Sequence, residues 1–195
     1  MKKALYVDCC IRGSESRTAK LAEAFLSALP ADYTVTHLNL MQEGLQPLTG
    51  DFFHGRQELL TAGDRTHPRF RYAYQIADAD LIIMAAPFWD MSFPSLLKIY
   101  IENTAVDGIT FRGGENGLEG MCRAAQLVFL TTRGGFYADA PELEQATPYL
   151  RAIQKFYGIP AFSCIAADGL DVDGFDAAGA LQKACSEAAA LAASL

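Results

Sequence analysis

The sequence predicts a doubly wound α/β protein: a five-stranded parallel sheet with helices on both faces. Three observations lead there. Leu81 to Ala86 (LIIMAA) is an unbroken apolar run without polar alternation, the pattern of a strand covered on both sides. Four further strand-like runs, at 2–8, 33–40, 126–131 and 161–167, alternate with helical patterns, as in consecutive βαβ units. No repeat, low-complexity segment or linker divides the 195 residues, so one domain spanning 1–195 is expected.

The elements follow in order. Residues 2–8 centre on ALYV and form the first strand, followed by a turn at 9–15 (CCIRGSE). Residues 16–29 form a helix, because Leu21, Ala22, Phe25, Leu26 and Leu29 share one face. Pro30 and Asp32 end it. Residues 33–40 alternate in polarity and read as a second strand near a sheet edge. Residues 41–68 are the least regular stretch, punctuated by Gly44, Pro47, Gly50, Gly55, Gly63 and Pro68, with a helical turn only at 57–61. Phe52 and Phe53 there fit a lid over a ligand or a satellite core equally well.

Residues 70–77 are helical. After the central strand, Pro87 stops the apolar run and Phe88 to Met91 make an aromatic loop. Ser92 can cap a helix with Pro94 in its first turn, and Leu96, Leu97, Tyr100 and Ile101 continue at helical spacing. Residues 107–121 (DGITFRGGENGLEGM) hold five glycines and predict a hairpin. Strand four follows at 126–131, then a helix over 143–157 stopped by Gly158. Strand five at 161–167 precedes a closing helix over 175–195, with Phe175, Ala178, Leu181, Cys185, Ala188 and Leu191 facing inward.

Composition excludes several classes. A net charge of −7 without a basic run argues against nucleic acid and anionic membranes as partners. No apolar run approaches the ~18 residues of a membrane span, and Ala4 to Val7 is too short for a signal peptide. A cytoplasmic protein is expected. Cys9, Cys10, Cys122, Cys164 and Cys185 fit no zinc spacing and make a poor disulfide framework. His37, His54 and His67 are dispersed, so no metal site is expected.

With strand order 2-1-3-4-5, the loops after strands one, three and four meet at one sheet edge, where ligands bind such folds. The first, 9–18, opens a helix with Ser14, Ser16, Arg17 and Thr18. Free N–H groups at a helix start favour an anion, although Ser16 alone is better explained as an N-cap. The second, 87–92, supplies apolar surface and the only tryptophan. The third, 132–137, carries Gly134 and Gly135, which let backbone amides approach a ligand edge. Neither GxxxxGK nor GxGxxG occurs. A phosphate grip, an aromatic wall and a backbone cradle together suit a flat heteroaromatic monophosphate such as FMN.

The segments PFWDMSFPSLLKIYIE (87–102), GITFRGGENGLEG (108–120), TTRGGFY (131–137) and TPYL (147–150) resemble the FMN-dependent NADH-azoreductases and NAD(P)H quinone reductases of the flavodoxin-like fold. The likeness is close in the second half and a likeness of layout in the first. It implies a tightly bound FMN, with Cys10, Ser16, Arg17 and Thr18 at the phosphate end. Phe88, Trp89, Asp90 and Met91 would lie about the flavin ring with Thr132, Arg133, Gly134 and Gly135, and Pro87 and Tyr137 complete the candidate set. The family reaction would be ping-pong: NADH or NADPH reduces the flavin, which passes two electrons to a quinone or azo compound. No catalytic side chain is implied. A homodimer with the flavin near the subunit interface is. Three positions depart from the family pattern: Cys10 for a hydroxyl, Asp90 for an asparagine beside the ring, and Tyr137 for a histidine. The same fold also serves flavodoxin-type one-electron carriers, and it can persist in flavin-free interaction proteins.

Overall fold

The computed structural model describes residues 1–115 and 117–195. Its strands are β1 (Lys2–Asp8), β2 (Tyr33–Asn39), β3 (Leu81–Ala85), β4 (Phe111–Gly114), β5 (Gly117–Gly120), β6 (Gln126–Thr132) and β7 (Ala161–Ala167). Its α-helices are α1 (Arg17–Ser27), α2 (Gly50–Thr61), α3 (Arg71–Ala77), α4 (Ser95–Thr104), α5 (Ala146–Phe156) and α6 (Ala177–Ala193). Five strands form one parallel sheet in the order β2-β1-β3-β6-β7. The expected order 2-1-3-4-5 becomes 2-1-3-6-7 in chain numbering, with the same segments in the same places. The 107–121 excursion forms two antiparallel strands of its own, so the last two sheet strands are the sixth and seventh of the chain.

Alternation along each strand divides the core between two faces. Leu5, Val7, Ile82, Met84, Leu127 and Phe129 pack on the side of α3, α4 and α5. Ala4, Tyr6, Leu81, Ile83, Val128 and Leu130 pack on the side of α1 and α6. Every residue of β3 is buried, which is why its sequence shows no alternation. The edge strand β2 buries only Leu38 completely.

Four expectations change. Residues 41–68 contain α2, a 12-residue helix, where only a turn at 57–61 was read. None of its residues is fully buried, so it lacks the apolar stripe that reveals a helix, and Gly50 and Gly55 read as breakers. The Arg69 guanidinium lies 4.1 Å over the Phe52 ring of this helix and donates to the Phe52 carbonyl at 2.7 Å. Ser92 does not cap α4, whose cap position belongs to Pro94, because the Ser92 backbone is bonded to Trp89. The fifth helix starts at Ala146 rather than 143, since Pro141–Leu143 form a separate 3₁₀ turn.

The closing helix is rotated from the expected face. Its fully buried residues are Ala184, Ala188 and Ala192, while Phe175 and Ala178 are exposed. An alanine stripe seats α6 against α1, and the larger Leu181, Cys185 and Leu191 flank it.

The hairpin β4–β5 is fastened by backbone contact. A Cβ on Gly120 would lie 2.0 Å from the Gly158 nitrogen, so only glycine lets β5 approach the end of α5. Gly158, at φ +76°, ends that helix as expected. Asn116, within the 108–120 motif, lies outside the described residues. Among the described residues no helix is long and apolar enough to cross a membrane. The five cysteines are unpaired.

The α6 register is testable. Ala188→Leu should destabilise by about 1–3 kcal/mol through overpacking. Ala178→Leu, on the exposed side, should stay within about 0.5 kcal/mol of the parent in urea unfolding.

Candidate cofactor cleft

The carboxyl ends of β1, β3 and β6 bound a cleft of ≈ 170 Å³. Larger hollows exist elsewhere, at ≈ 320, ≈ 430 and ≈ 440 Å³. None of these is bounded by those three strand ends together, where this topology gathers its loops. Ser16, Arg17, Thr18, Pro87, Phe88, Trp89, Thr132 and Gly134 of the expected set line the cleft. Arg12 and Asp171 line it as well, and sequence reasoning missed both.

The first loop turns inward before α1 begins. Cys10 lies beneath it, with its N–H donating to Asp8 Oδ1 at 2.9 Å and its Sγ 3.9 Å from the Ala85 carbonyl. Burial pushes its thiol well above the ordinary cysteine range, and the nearby Asp8 carboxylate adds to the effect. The Cys10 side chain is therefore a packed neutral thiol outside the cleft lining. Ser16 Oγ accepts the Ala19 N–H at 3.2 Å and caps α1. The N–H groups of Arg17 and Thr18 find no intramolecular partner among the described residues, as the first turn of a helix dictates. The Thr18 hydroxyl is bonded to that of Thr132 at 2.6 Å, tying the first loop to the third. Arg12 is largely exposed and only loosely paired with Glu15 at 3.5 Å.

The second loop is a tight turn. Trp89 and Ser92 exchange backbone bonds of 2.9 and 2.8 Å. Between them Asp90 and Met91 take φ of +49° and +65°, the pattern of a type I′ turn. Aspartate tolerates this region; methionine does so at a cost. The Met91 carbonyl accepts the Gln145 N–H at 2.9 Å, anchoring the turn just ahead of α5. The outcome is a half-exposed Trp89 at the cleft. Asp90 and Met91 are exposed at the turn tip, outside the lining residues. Phe88 is buried and packs edge-on against Tyr137, with ring centroids 4.6 Å apart. Tyr137 thus backs the wall and does not line the cleft.

The third loop is held from behind. Arg133 is buried, and its guanidinium faces Asp168 at 3.3 Å, Glu144 at 3.5 Å and the Thr147 hydroxyl at 3.1 Å. It lies 5.7 Å from the Phe88 ring. Its side chain braces the loop and stands outside the lining residues. The N–H groups of Gly134 and Gly135 have no intramolecular partner among the described residues. Gly135 is not a lining residue, whereas Gly134 is.

Arg12 and Asp171 were missed for different reasons. Arg12 lies inside the 9–18 loop, where its charge was a usable signal. Asp171 follows the outermost strand, whose loop joins the cleft only through hydrogen bonds invisible in sequence. Among the described residues no three His, Cys, Asp or Glu side chains group to hold a metal ion.

The turn geometry yields a prediction. Met91→Val should cost about 1 kcal/mol or more, because a β-branched residue is poorly suited to positive φ. Met91→Gly should be neutral or slightly stabilising. Thermal unfolding of the two variants beside the parent decides it.

Known proteins share this fold. A family model described as having a flavodoxin-like fold matches residues 2–192. An FMN-dependent NADH:quinone oxidoreductase 2 of Clostridium acetobutylicum is 37% identical, with 96% of each chain covered. An FMN-dependent NADH:quinone oxidoreductase of Clostridium perfringens is 36% identical over 98% of each. The crystal structure of an azoreductase from Bacillus anthracis superposes with a TM-score of 0.89 at 25% identity, covering all of both chains. An FMN-dependent NADH-azoreductase from the same species, in complex with FMN, shares the fold at a TM-score of 0.87 and 22% identity, over 100% of this chain and 99% of that one. With a family match across nearly its whole length and relatives this similar, the chain belongs to the flavodoxin-like family of FMN-dependent NADH:quinone oxidoreductases and azoreductases.

Proposed function

We propose that this chain is an FMN-dependent NADH oxidoreductase that makes two-electron reductions of quinones and azo compounds. One observation carries the reading. At a single sheet edge, Arg17 and Thr18, whose N–H groups have no partner among the described residues, line the same cleft as Arg12, Trp89 and Gly134. That donor set fits FMN: cationic and amide donors for a phosphate, an aromatic face for a planar ring, and free amides for the ring's polar edge.

When bound, FMN supplies the redox chemistry, accepting hydride from NADH and passing two electrons to the acceptor. The protein's part is to hold and orient it. Arg12 with the Arg17 and Thr18 N–H groups would hold the phosphate. The helix dipole contributes up to ~2 kcal/mol there, and each hydrogen bond to a charged group about 1.5–3 kcal/mol. These local terms offset a chain charge of −7. Trp89 would face the ring, and the Gly134 and Gly135 amides would meet its polar edge. Cys10, Arg133 and Tyr137 act behind the surface, packing the loops that carry these groups. The relatives are named as NADH oxidoreductases, which supports NADH over NADPH and an enzyme over a one-electron carrier or a flavin-free interaction protein.

Anaerobic NADH should bleach the visible flavin absorbance of the FMN-loaded protein, and a stoichiometric benzoquinone addition should restore it. Persistence of the flavin spectrum under excess NADH would refute the enzyme reading.

We further infer one domain over 1–195 acting as a homodimer in the cytoplasm. The unpaired cysteines suit a reducing compartment. On α4, Leu96 and Ile99 remain half-buried while Leu97, Tyr100 and Ile101 fill the core, so apolar surface faces both ways and suits a second copy. Light scattering at micromolar concentration should give about twice 21.2 kDa; a monomer there removes the claim.

A further inference from the structure

Arg17 stands at the cleft, but its guanidinium points to a neighbouring loop. Nη1 donates to the Leu170 carbonyl at 2.7 Å and Nη2 to Asp171 Oδ1 at 2.8 Å. The loop after β7 in turn lies along the loop after β6. The Leu170 N–H donates to the Arg133 carbonyl at 3.1 Å, and the Asp171 N–H to the Gly134 carbonyl at 3.0 Å. The Gly169 N–H donates to the Gly135 carbonyl at 3.0 Å. These three bonds join the two loops to each other, and none reaches α1. The Arg17 fork does.

The packing is close. A Cβ on Gly134 would fall 2.4 Å from Asp171 Oδ2, so the carboxylate occupies the space a side chain would take. Asp171 also lines the cleft. A bare carboxylate there would repel any anion drawn by the free α1 amides. Arg17 neutralises it, and in doing so commits one Nη1 and one Nη2 donor to this loop. Arg12 is the other arginine lining the cleft, and it is largely exposed.

We propose that Arg17 is a positioning residue: its hold on Leu170 and Asp171 locks the 168–171 loop against Gly134 and Gly135 and so fixes the backbone edge of the cleft. The phosphate falls to Arg12 and the α1 N–H groups. This rests on the FMN reading above, and the experiment separates the two.

The apoprotein, R17A, R17K and R12A are titrated with FMN and with riboflavin, following flavin fluorescence. Amide hydrogen exchange at Leu170 and Asp171 is measured in the same apoproteins. R17A should weaken both flavins by the same factor, about tenfold for the loss of charged hydrogen bonds, and should speed exchange at both amides. R12A should weaken FMN and leave riboflavin unchanged. R17K, whose single ammonium is a point donor without the planar fork, should fall between R17A and the parent. If R17A does not fold, R17K carries the same comparison. Loss of FMN affinity alone in R17A would make Arg17 a phosphate ligand and overturn the proposal. Unchanged exchange at Leu170 and Asp171 would overturn it too. If the parent binds neither flavin, the FMN reading fails, and the exchange result still decides whether Arg17 holds the loop.

Discussion

The structure depends on the parallel ladder continuing past the strands into the loops. The Cys9 N–H donates to the Ala85 carbonyl at 2.8 Å, and the Ala86 N–H to the Leu130 carbonyl at 3.1 Å. The Phe88 N–H donates to the Thr132 carbonyl at 3.0 Å, and the Arg133 N–H to the Ala167 carbonyl at 2.8 Å. Each loop therefore leaves the sheet already in register with its neighbour. A buried parallel sheet sends all its strands out at the same edge, and these four bonds convert that coarse arrangement into fixed distances between the loop backbones.

Side chains finish what the backbone begins. The Thr18–Thr132 hydroxyl pair joins α1 to β6. Arg133 gathers Glu144, Thr147 and Asp168 behind the third loop. Buried ion pairs of this kind are weak evidence for stability, because desolvation offsets much of the attraction. Here their use is geometric: one guanidinium fixes the positions of the β6 loop, the start of α5 and the end of β7 relative to one another. Its Nε atom has no partner among the described residues, a desolvation cost carried within that arrangement.

Much of this was legible in the sequence, for physical reasons that differ by element. The strands announced themselves through burial: LIIMAA has no polar residue because β3 has no exposed face. Gly158 marked the end of α5 because its positive φ excludes most other residues. Legibility failed where tertiary contact replaces local pattern. Helix α2 buries no residue completely, so periodicity had nothing to report. On α6 nearly every position is small and apolar, and several faces fit equally well until α1 selects one. At the cleft, residue type located the loops but not the side chains. Arginine near a helix start suggests a phosphate ligand, yet Arg17 is committed to Asp171, 154 positions away in sequence. Phe88 lines the cleft, and Tyr137 packs edge-on against its ring without lining it.

The placement of Trp89 has a spectroscopic consequence. It is the chain's only tryptophan, it is 44% exposed, and it sits on a four-residue turn at the cleft and not in the core. Its emission therefore reports the state of that turn. Denaturation followed by tryptophan fluorescence would track the loosening of the cleft, while circular dichroism would track the sheet. If the turn opens first, the two curves separate without any collapsed folding intermediate being populated, and the usual test of two-state behaviour by coincident probes would misjudge a core that unfolds in a single step.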